Sequence, residues 1–266
     1  QREGRHRSLW SCDSIKSMKS ANPELFSSIN QRLSQVNAAI EAACARVGRS
    51  PNEVTLVTVS KRQPIELIRA AYACGLRRFG ENYAEEAVVK MDALVDLADI
   101  QWEMVGHIQS RKAKLIASRV VRVHSLERGK LARLLDQFRD PELPPLQVLM
   151  EINISGEASK EGVPGDDPAR WSEILPVVDE VVTYPRLKLT GLMTMPPLQV
   201  EMEANRAYFR RMRELQDYIN AQRPDLNLHE LSMGTSTDFP VAIEEGATII
   251  RLGEAILGPR PTTEEQ

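Results

Sequence analysis

An unbroken alternation of short apolar segments with amphipathic segments restricts the fold of this chain more than any other feature. Eight short segments rich in β-branched and apolar residues have the pattern of buried strands. A helical pattern follows each of the first seven. Strands that are apolar on both faces are typical of a parallel sheet covered by helices. The predicted strands span residues 54–59, 78–80, 101–106, 120–124, 146–154, 187–193, 228–232 and 248–252.

Eight such units over roughly 230 residues fit the (β/α)8 barrel, which has about 250 residues in typical cases. A helical pattern from about Leu25 to Gly48 precedes the first strand. We therefore predict an α/β protein, a single (β/α)8 TIM barrel with an extra N-terminal helix. An open, doubly wound sheet is the alternative, but it usually has fewer strands, and no GxGxxG motif follows the first strand.

No linker, repeat or low-complexity stretch divides the chain. We predict a disordered N-terminal extension at residues 1–24, the barrel at residues 25–260 and a C-terminal tail at residues 261–266. The extension lacks the apolar region of a secretory signal, and no apolar run approaches the ~18 residues of a membrane span. Three cysteines without a CxxC motif favour a reducing compartment, the cytoplasm. A net charge of −3 gives no reason to expect nucleic acid.

The chemistry of a barrel lies at the carboxyl ends of its strands, and Lys61 follows the first predicted strand there. An ammonium group at the end of an apolar strand is costly unless it is paired. Partial desolvation lowers the pKa of a lysine and so favours the neutral amine that Schiff-base chemistry requires. A lysine that extends to solvent from a strand end is the alternative reading of the same position.

A hydroxyl- and glycine-rich turn, Ser232–Ser236, follows the seventh predicted strand. Its N–H and hydroxyl groups could bind a phosphate, and Gly253 follows the adjacent eighth strand. The loops after strands seven and eight are where barrels usually bind phosphate. An ordinary tight turn with serine and threonine caps is the alternative, but the pairing with Gly253 favours a phosphate site.

Arg251 lies within the eighth predicted strand and must find a partner inside the barrel. A carboxylate such as Glu254 or Glu230 would make its role structural. An aromatic nitrogen of a cofactor is the other partner, and a charged donor there would keep that nitrogen unprotonated. His107 is a candidate base or ligand, but no second His or Cys at ligand spacing supports a metal site.

Several of these segments together resemble the pyridoxal phosphate homeostasis proteins, which are relatives of the barrel domain of bacterial alanine racemase. The resemblance extends in order from about Leu25 to Arg260, and agreement of several motifs in sequence and spacing makes it specific. The segments are Val59–Lys61, Phe79–Tyr83, Val105–Gln109, Gly191–Thr194, Leu231–Asp238 and Arg251–Gly253.

The resemblance implies that the chain binds pyridoxal 5′-phosphate (PLP), with Lys61 as the Schiff-base lysine and Arg251 facing the pyridine nitrogen. It implies a phosphate-binding turn and a second phosphate loop, formed by Ser232, Gly234, Ser236 and Gly253. Pocket-lining positions correspond to Asn82, His107 and Met193. Two residues depart from the family pattern, Thr235 where the family usually has Met, and Glu254 where it often has Thr or Ser. Because a carboxylate there would repel a phosphate, we expect Glu254 to point away or to pair with an arginine, Arg251 or Arg260.

We therefore predict a PLP carrier or buffer in intracellular PLP homeostasis, without established turnover, which acts as a monomer and serves PLP-dependent apoenzymes. Alanine racemase takes a second base from a further domain, and the chain ends about fifteen residues after the eighth strand, so we expect no such domain. A PLP-dependent amino-acid racemase with Tyr83 or His107 as the base is one alternative. A Schiff-base aldolase without a cofactor is another.

Overall fold

The structure is a computed structural model that describes residues 22–127, 129–197 and 201–260. Eight parallel strands pair in chain order, and pairing of the eighth with the first closes the sheet into a barrel. The predicted (β/α)8 fold is confirmed. The strands are β1 (Thr55–Val59), β2 (Arg78–Glu81), β3 (Gln101–Met104), β4 (Arg122–Leu126), β5 (Leu146–Asn153), β6 (Leu187–Met193), β7 (Glu230–Ser232) and β8 (Ile249–Leu252).

Helices cover the outside of the barrel, and none among the described residues combines the length and apolar character needed to cross a membrane. They are α1 (Pro23–Arg46), α2 (Ile65–Ala73), α3 (Ala84–Ala93), α4 (Ala113–Ile116), α5 (Gly129–Phe138), α6 (Leu175–Val182), α7 (Arg206–Gln222), α8 (Phe239–Glu244) and α9 (Glu254–Leu257). Short 3-10 segments lie at Pro51–Glu53, Ser110–Lys112, Pro168–Ile174 and Met202–Asn205, and a two-residue strand, Val163–Pro164, pairs with the end of β5.

The extra N-terminal helix is α1, and it packs against α2, α8 and α9. Asn22 caps it, because its side chain accepts a hydrogen bond from the Glu24 N–H at 2.9 Å and Pro23 occupies the first turn. The helix therefore begins two residues before the predicted boundary at Leu25. Residues 1–21 of the predicted extension and the predicted tail, 261–266, lie outside the described residues.

The predicted fourth strand was placed two residues too early. Val120 still belongs to the preceding turn, because its N–H donates to the Ile116 carbonyl at 3.2 Å, and the Val121 side chain is exposed. The strand instead begins at Arg122, whose guanidinium lies inside the barrel. The two adjacent valines, Val120 and Val121, favour an earlier strand start when only the sequence is considered. In the structure, the buried ion pairs of Arg122 fix the start of the strand at that residue.

The barrel interior has an apolar part and a polar part. Val57, Val105, Leu149, Met193 and Ile249 form a small buried cluster inside the barrel, separate from the large cluster between sheet and helices. The remaining interior includes buried polar side chains that come from four strands. These side chains, Glu103, Arg122, His124, Ser232 and Arg251, are all at most 4% exposed.

Candidate functional site

A cavity of about 350 Å³ opens at the carboxyl ends of β1, β2, β7 and β8. Six of the ten predicted cofactor-binding residues line it: Lys61, Asn82, Thr235, Ser236, Arg251 and Gly253. Val59, Val105, Met195, Thr237, Glu254 and Arg260 complete the lining. A second large cavity, of about 410 Å³, lies around Arg78, Gln101 and Gln147 at the opposite end of the barrel, where sites of this fold do not occur.

Lys61 lies two residues beyond the end of β1, and its side chain is half-buried in the cavity wall. Burial lowers the pKa of its amine, and the positive charges of Arg260 and Arg62 lower it further, while Glu254 and Glu86 oppose that change. Its amine forms no hydrogen bond or salt bridge with any residue that the structure describes. An amine with a lowered pKa and no partner is the form of lysine that reacts with a carbonyl carbon.

The opposite wall of the cavity carries the hydroxyl groups of Thr235, Ser236 and Thr237. Asp238 holds this turn, because one of its carboxylate oxygens accepts from the Thr235 N–H at 2.7 Å and from the Thr235 hydroxyl at 3.1 Å. Gly234, within this turn, has a φ of +94°, and a Cβ there would lie 2.7 Å from the Cβ of Ala242. Glycine is therefore required at this position by both backbone and space.

Glu254 and Arg260 lie beside this wall and form a salt bridge at 3.5 Å. The expectation that an arginine pairs with Glu254 is confirmed. The pair neutralises the carboxylate that would otherwise repel an anion bound by the turn. Because both side chains are exposed, the pair is weak and can reorganise when an anion enters.

Arg251 lies at the floor of the cavity and is 4% exposed. Its guanidinium donates to the Ser232 hydroxyl at 2.6 Å and to the Thr194 carbonyl at 2.9 Å. No carboxylate of the described residues forms a salt bridge with it, and Glu230 pairs with Arg122 instead. Burial lowers the pKa of Arg251 to about 10, so the group stays charged at neutral pH. A buried cation with N–H groups left over can serve an acceptor in the cavity.

A chain of hydrogen bonds continues from Arg251 through the barrel. The Ser232 hydroxyl lies 2.8 Å from Nδ1 of His124, and Nε2 of His124 lies 2.7 Å from Oε2 of Glu103. Burial raises the pKa of Glu103, but His124, Arg122 and Arg78 outweigh it and hold the pKa at about 2. Because Glu103 is ionised, Nε2 of His124 donates to it and Nδ1 accepts from Ser232. Both ring nitrogens of His124 therefore have hydrogen-bond partners.

The other predicted site residues occupy different places. Met193 belongs to the apolar cluster inside the barrel, and Ser232 and Gly234 are buried behind the cavity wall. His107 lines a neighbouring cavity of about 320 Å³ that shares Asn82 with the first. Contact of any of the ten residues with a cofactor stays a prediction.

Sequence reasoning did not find the groups around His107. Nδ1 of His107 lies 2.6 Å from Oε1 of Glu127, and Glu161 brings a further carboxylate oxygen within 4.8 Å of both. Burial, and then the negative charge of Glu127, raise the pKa of Glu151 to about 7. Glu127 follows β4, Glu151 lies in β5 and Glu161 follows β5, and nothing in the local pattern links them to His107.

The fold and the site define a barrel of the class formed by the N-terminal domain of alanine racemase. The model of that family, described as "Alanine racemase, N-terminal domain", matches residues 33–261. The alanine racemase of Corynebacterium glutamicum has the same fold, with a TM-score of 0.60, 14% identity, and coverage of 90% of this chain and 62% of that one.

The chain belongs to the family of pyridoxal phosphate homeostasis proteins. The member from Pseudomonas aeruginosa is 43% identical over 236 residues, 88% of this chain and 97% of that protein. The member from Aquifex aeolicus is 41% identical over 230 residues, 86% of this chain and 97% of that protein. The structure of PipY from Synechococcus elongatus PCC7942 with PLP bound has a TM-score of 0.73 and 33% identity, and covers 86% of this chain and all of that one.

The raised pKa of Glu151 predicts a pH-dependent loss of stability. Its contribution to folding is fully present below the unfolded-state pKa of about 4.3, and is lost as pH rises through the folded-state value of about 7. Glu151→Gln removes the ionisable group and, with it, this loss of stability at higher pH. Relative to the wild type, the variant should gain about 1–3 kcal/mol of unfolding free energy between pH 5 and pH 8, measured by urea denaturation.

Glu142→Gln is the matched control, because Glu142 is exposed and its side chain has no described partner. Its difference from the wild type should stay constant between the two pH values. Equal pH dependence of Glu151→Gln and the wild type would contradict a raised pKa at Glu151.

Proposed function

We propose that this chain holds PLP in the cavity at the barrel mouth, as a Schiff base on Lys61, and acts as a PLP carrier or buffer without catalytic turnover. The observation that carries the proposal is the meeting, in one cavity, of an amine without a partner among the described residues, a hydroxyl-rich turn and a buried arginine. The names of the relatives and the PLP-bound structure of PipY support the choice of cofactor.

The residues present fit the chemical parts of PLP. The cavity volume, about 350 Å³, lies in the range of small-ligand sites. The hydroxyl groups of Thr235, Ser236 and Thr237 would hold the phosphate, beside the backbone of Gly253. Bound PLP supplies an aldehyde carbon, with which a neutral primary amine forms a C=N bond and releases water. Lys61 is the amine in the cavity wall that would form this bond.

Arg251 supports a holding role over a catalytic one. Its free N–H groups would donate to the pyridine nitrogen, which would therefore stay unprotonated. An unprotonated ring is a poor electron sink, so it gives little stabilisation to a carbanion at a bound amino acid. The same side chain therefore orients the ring and disfavours turnover.

In this proposal the chain acts as a monomer in the cytoplasm and passes PLP to apoenzymes. The cavity opens at the barrel mouth, so PLP could leave it without unfolding of the barrel. The thiols of Cys44 and Cys74 are free, as expected in a reducing compartment.

Replacement of the proposed Schiff-base lysine should remove the covalent link and leave the fold intact. Lys61→Ala should lose the absorbance of the PLP Schiff base and all PLP capture by borohydride. Its free energy of unfolding without PLP should differ from the wild type by no more than about 0.5 kcal/mol, because Lys61 has no hydrogen bond or salt bridge to lose among the residues that the structure describes. Lys114→Ala, a change at an exposed lysine, is the control and should keep both signals. Undiminished capture in Lys61→Ala would contradict the assignment.

Removal of one hydroxyl from the turn tests the phosphate site. Ser236→Ala should weaken PLP binding by about 1–3 kcal/mol, because one or two charge-assisted hydrogen bonds are lost. The dissociation constant can be measured by absorbance titration. Ser34→Ala, at an exposed position of α1, should leave that constant unchanged. An unchanged constant in Ser236→Ala would contradict the placement of the phosphate.

The racemase alternative requires a base next to Lys61. Neither Tyr83 nor His107 is among the residues that line the cavity of Lys61; Tyr83 is exposed and His107 is bonded to Glu127. We therefore expect that PLP-loaded protein, incubated with amino acids in deuterium oxide, incorporates no more than one deuterium per site at the α-carbon. Sustained incorporation, followed by mass spectrometry, would support the racemase and contradict the carrier.

A further inference from the structure

A buried lysine lies directly behind the turn that carries Lys61. Lys90, in α3, is 4% exposed. Its ammonium donates to the Ser60 carbonyl at 2.6 Å, to Oε1 of Glu81 at 2.8 Å and to Oε1 of Glu86 at 2.6 Å. The Ser60 hydroxyl also donates to Oε1 of Glu81, at 2.7 Å. All three protons of the ammonium therefore have acceptors, and one acceptor is the backbone next to Lys61.

The turn that carries Lys61 has an unfavourable backbone. The Gln63 N–H donates to the Ser60 carbonyl at 3.0 Å, so residues 60–63 form a β-turn with Lys61 and Arg62 as its central residues. Arg62 has a φ of +56°, in the left-handed region that favours glycine. A non-glycine residue in such a conformation is strained and persists only where its surroundings hold it.

The Lys90 cluster holds this turn at two points. Lys90 itself binds the carbonyl at the first residue of the turn, Ser60. Glu86, which Lys90 also binds, accepts the Arg62 N–H at 2.5 Å. The ammonium group of Lys90 therefore binds the start of the turn directly and the strained residue, Arg62, through Glu86. Lys61 lies between these two contacts.

Stability alone does not explain a buried ammonium at this place. A buried ion pair contributes little net stability, because desolvation offsets the attraction between the charges. Burial also raises the pKa of Glu81, whose Oε2 has no hydrogen-bond partner among the described residues. What the cluster does provide is a fixed conformation for the backbone on both sides of Lys61.

We propose that Lys90 is a positioning residue for Lys61: by binding the Ser60 carbonyl and Glu86 together, it holds the turn that directs the Lys61 amine into the cavity. The inference rests on the proposed function, since it assigns Lys90 to the formation of the Schiff base. Lys90 touches neither the cavity nor the cofactor position, and it acts through the turn alone.

The test separates Schiff-base formation from non-covalent binding. The rate constant of Schiff-base formation with PLP is followed by stopped-flow absorbance on the full chain. Affinity for pyridoxine 5′-phosphate, which has an alcohol in place of the aldehyde, reports binding of ring and phosphate alone. Lys90→Met should slow Schiff-base formation about tenfold, because the contacts that keep the strained Arg62 in its conformation are lost. It should change the affinity for the analogue less than about twofold.

A second substitution supplies the rescue. Glycine adopts a φ of +56° without strain. With Arg62→Gly, the turn should therefore keep its conformation without the contacts of Lys90. Because Arg62→Gly also removes a positive charge that lowers the pKa of Lys61, the single Arg62→Gly variant is the reference. In that background Lys90→Met should change the rate little, whereas in the wild-type background it slows the rate about tenfold. Lys114→Met, at an exposed lysine, is the control for removal of a positive charge.

If Lys90→Met does not fold, Glu86→Ala replaces it, since that change frees the Arg62 N–H and leaves the contact of Lys90 with Glu81 in place. Wild-type rates in these variants, a parallel loss of analogue affinity, or no rescue by Arg62→Gly would each overturn the inference. A wild type that forms no Schiff base would overturn the proposed function first, and the inference with it.

Discussion

Closure of the parallel sheet by the pairing of β1 with β8 is the constraint on which the site depends. Val57 pairs with Arg251 and Thr58 with Leu252 in this contact, so the first strand of the chain meets the last. Since all strands are parallel, their carboxyl ends then meet at one mouth. Lys61 follows β1 and Ser236 follows β7, which pairs with β8, so two residues distant in sequence line one cavity.

The interior of the barrel combines apolar packing with a buried polar chain. An isolated buried guanidinium would be costly, and a carboxylate beside it would be the usual compensation. Arg251 has instead two neutral acceptors, Ser232 and Thr194, while the carboxylate of Glu103 lies two side chains away. These two neutral acceptors hold Arg251 in place without cancelling its charge. They also leave some of its N–H groups free to bind a ligand.

Local patterns carried enough information to predict the strands, the position of Lys61 at the mouth and the turn before Ser236. The partner of Arg251 was not predictable in the same way, since Glu230 and Glu254 were nearer in sequence than Thr194. The Lys90 cluster was not predicted because its members lie just after β1, on β2 and on α3, and Lys90 in isolation has the pattern of a solvent-facing helix position. Tertiary contacts between units decided these cases, and residue periodicity does not encode them.

Two lysines near the end of β1 thus have opposite environments. Lys90 is buried and fully bonded, whereas Lys61 has no described partner and faces the cavity. The central claim is that this difference selects Lys61 for PLP. Peptide mapping by mass spectrometry of the wild type, reduced with borohydride in the presence of PLP, tests it most directly. The account predicts the pyridoxyl group on Lys61 at about one per chain; its presence on another lysine, or on none, would contradict the account.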